Sequence, residues 1–402
     1  MTTTVVTGVS VVAPNGLGTE AYWKATLDAL SAIGPISRFD AGSYPSRLAG
    51  EVADFDGRRH LPSRLVPQTD RMTQFALAAS DWAIEDAAVD TAAIDPLDMG
   101  VTTASASGGF DFGQRELEQL WSKGPQHVSA YLSFAWFYAV NSGQISIRNN
   151  LRGPTGVVVT EQAGGLDAIA QARRLVRGGT RLVVTGATDA SLCPYGWAAQ
   201  ISGGSLSTRT DPERAYLPFD RDAAGHVPGE GGAMLVVEGA GHARARGVTP
   251  YGEIAGYGAS FDPPPGSGRP GNLGRAIVTA LADAGMTPDD IGVVFADAAG
   301  QPEADREEAS ALTGIFGPYG VPVTVPKTMT GRLYAGAAPV DVVAALLALR
   351  DGVIPPTAHV TCGYDIDLVQ GAPRAFAGRA ALVVARGRGG ANSALIVRTA
   401  GK

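Results

Sequence analysis

The stretch that decides the fold is Gly156-Val157-Val158-Val159-Thr160-Glu161-Gln162-Ala163-Gly164-Gly165-Leu166-Asp167-Ala168. The three valines at 157–159 read as a buried strand. A sharp turn through Ala163-Gly164-Gly165 opens an alanine-rich helix that runs to Arg177 and stops at Gly178-Gly179. Gln162 stands on this strand-to-helix elbow, at the positive end of a helix dipole. Free N–H groups there favour an anion such as a thiolate. Glutamine has no thiol, so the elbow is predicted to shape a site without holding a covalent intermediate.

Outward from the elbow, short apolar strands alternate with helical stretches, the pattern of an α/β fold whose sheet is covered on its faces. Strands are predicted at 4–9, 100–103, 156–160, 182–186 and 233–237, then at 254–257, 293–296, 323–325, 381–385 and 394–397. Helices are predicted at 71–86, 112–121, 166–177, 273–284, 305–316 and 339–349. Each half carries a small-residue turn leading into an alanine-rich helix, Gln162-Ala163-Gly164-Gly165 in the first and Ala335-Gly336-Ala337-Ala338 in the second. This repetition implies an internal duplication, with halves spanning 1–245 and 246–402. The proline- and glycine-rich run at 261–271 is flanked closely by predicted strands and reads as a rigid surface loop rather than a linker.

Composition excludes several classes. The 402 residues suffice for two domains or a duplicated one, with 45% hydrophobic and 18% charged residues. The 53 glycines are roughly twice the ordinary usage of about 7%, in keeping with tight turns and close helix–sheet contacts. A net charge of -7 with scattered arginines gives no basic stripe for nucleic acid. The chain opens on an apolar strand without a basic leader or a long apolar run, so a cytoplasmic protein that does not enter a membrane is expected. Cys193 and Cys362 are too few and too isolated for a disulfide framework or a metal site. Cys193 precedes a proline, with no free helix N-terminus evident to activate it, and reads as core packing.

Five segments, in order along nearly the whole chain, resemble the β-ketoacyl synthase branch of the thiolase-like superfamily. They are Val6-Thr7-Gly8-Val9 with Ala13-Pro14-Asn15-Gly16; Pro218-Phe219-Asp220-Arg221-Asp222; Gly225-His226-Val227-Pro228-Gly229-Glu230-Gly231-Gly232-Ala233; Pro322-Val323-Thr324-Val325-Pro326-Lys327-Thr328-Met329-Thr330-Gly331; and Val353-Ile354-Pro355-Pro356-Thr357. The resemblance implies a thiolase-like fold of duplicated halves in a layered αβαβα arrangement. An active member uses a cysteine, two histidines and a lysine. By motif, those positions are Gln162, Asp297, Arg332 and Lys327, with the downstream acidic residue at Asp305. Only the lysine matches. None of the five histidines takes either histidine position, and structural roles are expected for all five, His226 included.

Condensation needs a thiolate to carry the chain and donors to stabilise the enolate, whereas an aspartate at a donor position repels developing negative charge. The resemblance therefore narrows to the ketosynthase β-subunits of type II aromatic polyketide synthases, the chain length factors, in which glutamine replaces the cysteine. It implies a heterodimer with a catalytic ketosynthase α-subunit. The carrier protein's phosphopantetheine would enter that partner, and no cofactor or metal is bound directly. An alternative is a priming malonyl-carrier decarboxylase using Gln162; a third reading is a homodimeric binding protein.

The segment Gly108-Gly109-Phe110-Asp111-Phe112-Gly113-Gln114-Arg115-Glu116-Leu117 places Phe110, Gly113 and Leu117 on one helical face. By resemblance these positions line the end of a polyketide tunnel at the heterodimer interface, and small residues there imply a product longer than an octaketide, of decaketide size. The bland reading of Gly113 is a frayed helix start. The aromatic run Tyr131-Leu132-Ser133-Phe134-Ala135-Trp136-Phe137-Tyr138 resembles a dimer-contact segment, with Phe134 reaching toward the partner. An ordinary core helix is the alternative. Arg388 stands where the family carries a gating aromatic.

Overall fold

The computed structural model describes residues 2–264 and 266–401. Its first half runs β1 (Thr4–Ala13), α1 (Arg71–Asp86), β2 (Met99–Ala104), α2 (Phe110–Lys123), β3 (Thr155–Val158), α3 (Gly164–Arg177), β4 (Leu182–Asp189), α4 (Pro194–Ile201) and β5 (Gly231–Gly239). The second runs β6 (Gly252–Phe261), α5 (Leu273–Ala284), β7 (Val293–Phe295), α6 (Pro302–Phe316), β8 (Pro322–Thr324), α7 (Ala337–Asp351), β9 (Ala380–Gly387) and β10 (Ala391–Arg398).

The strand order is β8-β7-β9-β10-β6-β1-β5-β4-β2-β3, with a short strand Asp367–Leu368 beyond β8. The order therefore reads the same from both ends toward the centre. Each half has three parallel strands followed by two antiparallel ones, and the halves join where β1 pairs antiparallel with β6, Val5 opposite Glu253. The fold is the expected duplicated one.

Side-chain alternation builds the layers. Along β5, Ala233, Leu235 and Val237 enter the central core, while Met234 and Val236 enter an outer one with α1. Along β9, Ala381, Val383 and Ala385 face the same central core, and Leu382 and Val384 face α5 and α6. Strand side chains alternate faces, so both faces of both halves must be covered. Helices α3 and α7 fill the middle. Every residue of α7 from Ala337 to Leu349 is buried, as expected of a helix that is apolar on all sides apart from Asp341. Truncating Leu346 or Leu347 there to alanine costs about 2–5 kcal/mol.

Two local expectations change. The run 157–159 reads as a buried strand, but β3 is the edge of the sheet, and Val159, just past its end, is 47% exposed. Three apolar residues in a row look alike whether a chain partner or another molecule covers them. The turn itself is made at Glu161–Ala163, with Glu161 at φ 53°, and Gly164 and Gly165 already belong to α3. A side chain at 165 would stand 2.4 Å from Pro339 Cδ and 2.5 Å from the Ala335 carbonyl. That glycine serves the close approach of α3 to the start of α7, not the turn.

The run 261–271 lies between β6 and α5 as a connecting loop, and Pro265 within it lies outside the described residues. Among the described residues no helix is long and apolar enough to cross a membrane.

Candidate functional site: a closed polar clasp at the elbow

Gln162 is buried at the elbow, and the chain brings Asp297 and Arg332 to it from two loops of the second half, after β7 and after β8. The Arg332 guanidinium donates to the amide oxygen of Gln162, to Asp297 Oδ1 and Oδ2 at 3.1 and 2.9 Å, and to the carbonyls of Asp297 and Ala298 at 2.8 and 2.9 Å. Burial opposes the positive charge, but Asp297 and Tyr216 outweigh it and hold Arg332 firmly protonated. Asp297 also accepts the Arg386 N–H at 2.9 Å. The three positions thus form one closed, internally neutralised unit.

Lys327 does not join that unit. Its ammonium pairs with Asp341 of α7 at 2.6 Å and donates to the Ala296 carbonyl, so it ties α7 to the end of β7. Burial raises the Asp341 carboxyl, and Lys327 holds it down.

Two carboxylates one turn apart on α6 fix the loop after β7. Asp305 accepts the N–H groups of Gly300 and Phe219, each at 3.0 Å, while Glu308 accepts those of Asp297 and Ala298 at 2.7 and 2.8 Å. Burial pushes Asp305 up to about 6 and Glu308 up to about 7. Glu308, which sets the backbone of Asp297, was not singled out in the sequence; its signal was the i, i+3 spacing from Asp305.

Beside the clasp lies a cavity of about 490 Å³, within the range of small-molecule sites of about 300–1,000 Å³. Gln162, Asp297, Arg332, Phe110, His226 and Arg388 are among its walls. His226, expected in a bland structural role, is buried against Arg332, and burial with that neighbouring charge lowers its pKa to about 3, so the ring is neutral. Arg388 donates its backbone N–H to Glu161 and its guanidinium to the Gly203 carbonyl at 3.4 Å, at the cavity mouth. Cys193 is not among the lining residues. Contrary to expectation it caps a helix, α4, its sulfur accepting the Gly196 N–H at 3.4 Å, because proline at the first helical position is compatible with a helix start. Burial nonetheless pushes the thiol up to about 11, which leaves it inert.

The face of α2 runs from this cavity to the surface. Phe110 lines the cavity and packs at a tilt against Tyr195, 5.1 Å between centroids. Gly113 is buried in the first half of a fourteen-residue helix, and Leu117, 38% exposed, lies one turn on. The α2 start is pinned by Asp70, which accepts the N–H groups of Phe112 and Met72, each at 2.9 Å. The aromatic run breaks into a four-residue helix Leu132–Ala135 and a turn. Phe134 packs partly into the core around α1, whereas Trp136, Phe137 and Tyr138 stand exposed. Among the described residues no group of His, Cys, Asp or Glu is placed to hold a metal.

The family descriptions "Beta-ketoacyl synthase, N-terminal domain" and "Beta-ketoacyl synthase, C-terminal domain" match residues 1–243 and 251–361. The chain belongs to the β-ketoacyl synthase family. Within it, the chain is 59% identical over 397 residues, 98% of each chain, to the actinorhodin polyketide putative beta-ketoacyl synthase 2 of Streptomyces coelicolor. It is 59% identical over 402 residues to the tetracenomycin polyketide synthase ketoacyl synthase beta subunit of Streptomyces glaucescens, covering 99% of this chain and 98% of that one. The solved ishigamide ketosynthase/chain length factor superposes over all of both chains with a TM-score of 0.91 at 27% identity. Membership in the β-ketoacyl synthase family, and in its polyketide β-subunit branch, thus agrees with the five sequence motifs. In the clasp the Arg332 guanidinium is shared among the Asp297 carboxylate, the Gln162 amide oxygen and two backbone carbonyls, and Asp297 also accepts the Arg386 N–H.

Proposed function

We propose that this chain is the non-catalytic β-subunit of a type II polyketide ketosynthase, pairing with a cysteine-bearing α-subunit and setting the length of the poly-β-ketone. The observation that carries this reading is the Arg332 clasp. Gln162 has no thiol, and its amide oxygen and the Asp297 carboxylate are both bonded to Arg332, so the elbow holds neither the cysteine nor the two histidines that the family resemblance places there. Decarboxylative Claisen condensation from malonyl units on a carrier protein then belongs to the partner, whose site the carrier's phosphopantetheine enters. The committed amide oxygen of Gln162 and the facing carboxylate of Asp297 weigh against a priming decarboxylase.

The exposed edge at β3 and Val159, with the aromatic surface of Trp136, Phe137 and Tyr138, supports an extensive partner interface, apolar as obligate interfaces are. Phe134 backs that surface. Phe110, Gly113 and Leu117 are proposed to flank the growing chain there. The division near residue 245 falls between the helix Ala240–Ala245 and β6, and is proposed as the boundary of the duplicated halves.

The test is co-expression with an α-ketosynthase, carrier protein and malonyl transferase, comparing the native chain with Gly113→Phe. Shorter polyketides from the variant heterodimer support the reading. Unchanged length from an intact heterodimer removes α2 from the tunnel, and condensation by this chain alone overturns the assignment.

A further inference from the structure

Trp136 is held in place by glycines. The Gly109 N–H donates to the Trp136 carbonyl at 3.0 Å, and a side chain on Gly108, at φ 77°, would stand 2.4 Å from that same oxygen. A side chain on Gly109 would stand 2.2 Å from the Ala135 carbonyl. The aromatic turn is therefore docked backbone to backbone on the start of α2, and only glycine at 108 and 109 permits it. One turn further, a Cβ added at Gly113 meets a single atom within 4 Å, Trp136 Cβ at 3.6 Å. Among the described residues, Trp136 is the one side chain within 4 Å of the bare position on α2.

Trp136 is 49% exposed, its ring in edge contact with Phe137, whose ring packs on Tyr138 at 4.3 Å. The indole N–H groups of Trp23 and Trp197 are spent on Asp351 at 2.7 Å and on the Ser46 carbonyl at 3.0 Å. That of Trp136 has no acceptor among the described residues. A flat apolar face with one unspent donor suits a chain of alternating methylenes and carbonyls.

We propose that Trp136 is a specificity-determining residue for chain length, and that the open length beside α2 is set by the 113/136 pair rather than by residue 113 alone. This rests on the proposed tunnel along α2. A bulky residue at 113 would act by displacing the indole, and loss of the indole would extend the space that Gly113 leaves.

The experiment uses the heterodimer with its carrier protein and compares Trp136→Ala, Trp136→Phe and Gly113→Phe by mass of the released polyketides, with size-exclusion chromatography reporting assembly. The expected result is products at least one ketide longer from Trp136→Ala, an intermediate distribution from Trp136→Phe, and shorter products from Gly113→Phe. Should Gly113→Phe shorten the product while both Trp136 variants assemble and leave it unchanged, the Trp136 inference fails and the tunnel reading stands. Should no variant change length in an intact heterodimer, the tunnel reading itself fails. Loss of assembly in Trp136→Ala, with unchanged length in an assembled Trp136→Phe, would make Trp136 an interface residue only and overturn the proposal.

Discussion

The guanidinium of Arg332 and the carboxylate of Asp297 form a buried two-oxygen ion pair, at 2.9 and 3.1 Å, at the positions where the family resemblance places two histidines. Breaking one partner of such a pair leaves an uncompensated charge in the interior, at a cost of about 3–5 kcal/mol. Arg332→Ala is therefore expected to lower stability by that amount. The joint variant Arg332→Leu with Asp297→Leu should recover most of it, because no charge is left behind. Denaturant unfolding of both variants beside the native chain checks this, and equal losses in the single and joint variants would contradict it.

Restoring the thiol alone should not restore chemistry. In Gln162→Cys the elbow's helix dipole favours a thiolate, but the Arg332–Asp297 pair still occupies both donor positions. Incubation with acyl carrier protein should give no condensation product from this chain, and alkylation of the new thiol should be the only change seen by intact mass. Condensation at rates comparable to the partner would show that the clasp is no barrier.

Stability should fall as pH rises from about 4 to about 7 and level off above that. Burial raises Asp70 and Asp305 to about 6 and Asp189 and Glu308 to about 7, from ordinary values of 3.8 and 4.5. Between those limits the folded chain binds more protons than the unfolded one, so each group favours folding as pH falls through the window. His226 has the opposite sign. Its folded value near 3 means that the unfolded chain gains a proton below 6.5 and the folded chain does not. Four carboxylates outnumber one histidine, and above 6.5 the histidine contributes nothing. Thermal midpoints are expected to be higher at pH 5.5 than at pH 8, and Asp189→Asn should flatten part of that slope. A midpoint that climbs from 5.5 to 8 would refute the assignment.

The sequence carried the layers because strand and helix periodicities are local. The helices 71–86 and 273–284 were legible to the residue, and Gln162, Asp297 and Arg332 could be located by motif. What pairs with what was not legible. That Arg332 closes on Gln162, 170 positions away, and that His226 is a neutral cavity wall depend on contacts between distant parts of the chain, and Lys327 meets Asp341 only once α7 packs beside it. The edge position of β3 was hidden for another reason: three consecutive valines have the same composition at the edge of a sheet as in its interior. Cys193 packs in the interior with a raised thiol, as expected, but the helix it caps was not legible, because the proline after it sits at the first helical position, where it has no N–H to lose.

Glycines 109 and 113 sit four residues apart at the start of α2, and only one of them should resist a methyl group. At Gly113 the added Cβ finds an ordinary contact with Trp136 at 3.6 Å. Alanine there should raise stability by about 0.5–1 kcal/mol, the helix-propensity gain over glycine. At Gly109 the same methyl would stand 2.2 Å from the Ala135 carbonyl and 2.8 Å from Asp70 Cβ. Relief requires the aromatic turn or the Asp70 cap to move, at about 1–3 kcal/mol. Since Asp70 also holds the Phe112 N–H, Gly109→Ala should loosen α2 as well and speed hydrogen exchange across its first turn. Thermal unfolding of both variants, with exchange mass spectrometry over residues 108–117, measures the difference. A stabilised Gly109→Ala or a strongly destabilised Gly113→Ala would mean that α2 and the aromatic turn do not meet as described, and with that the space over residue 113 would lose its physical basis.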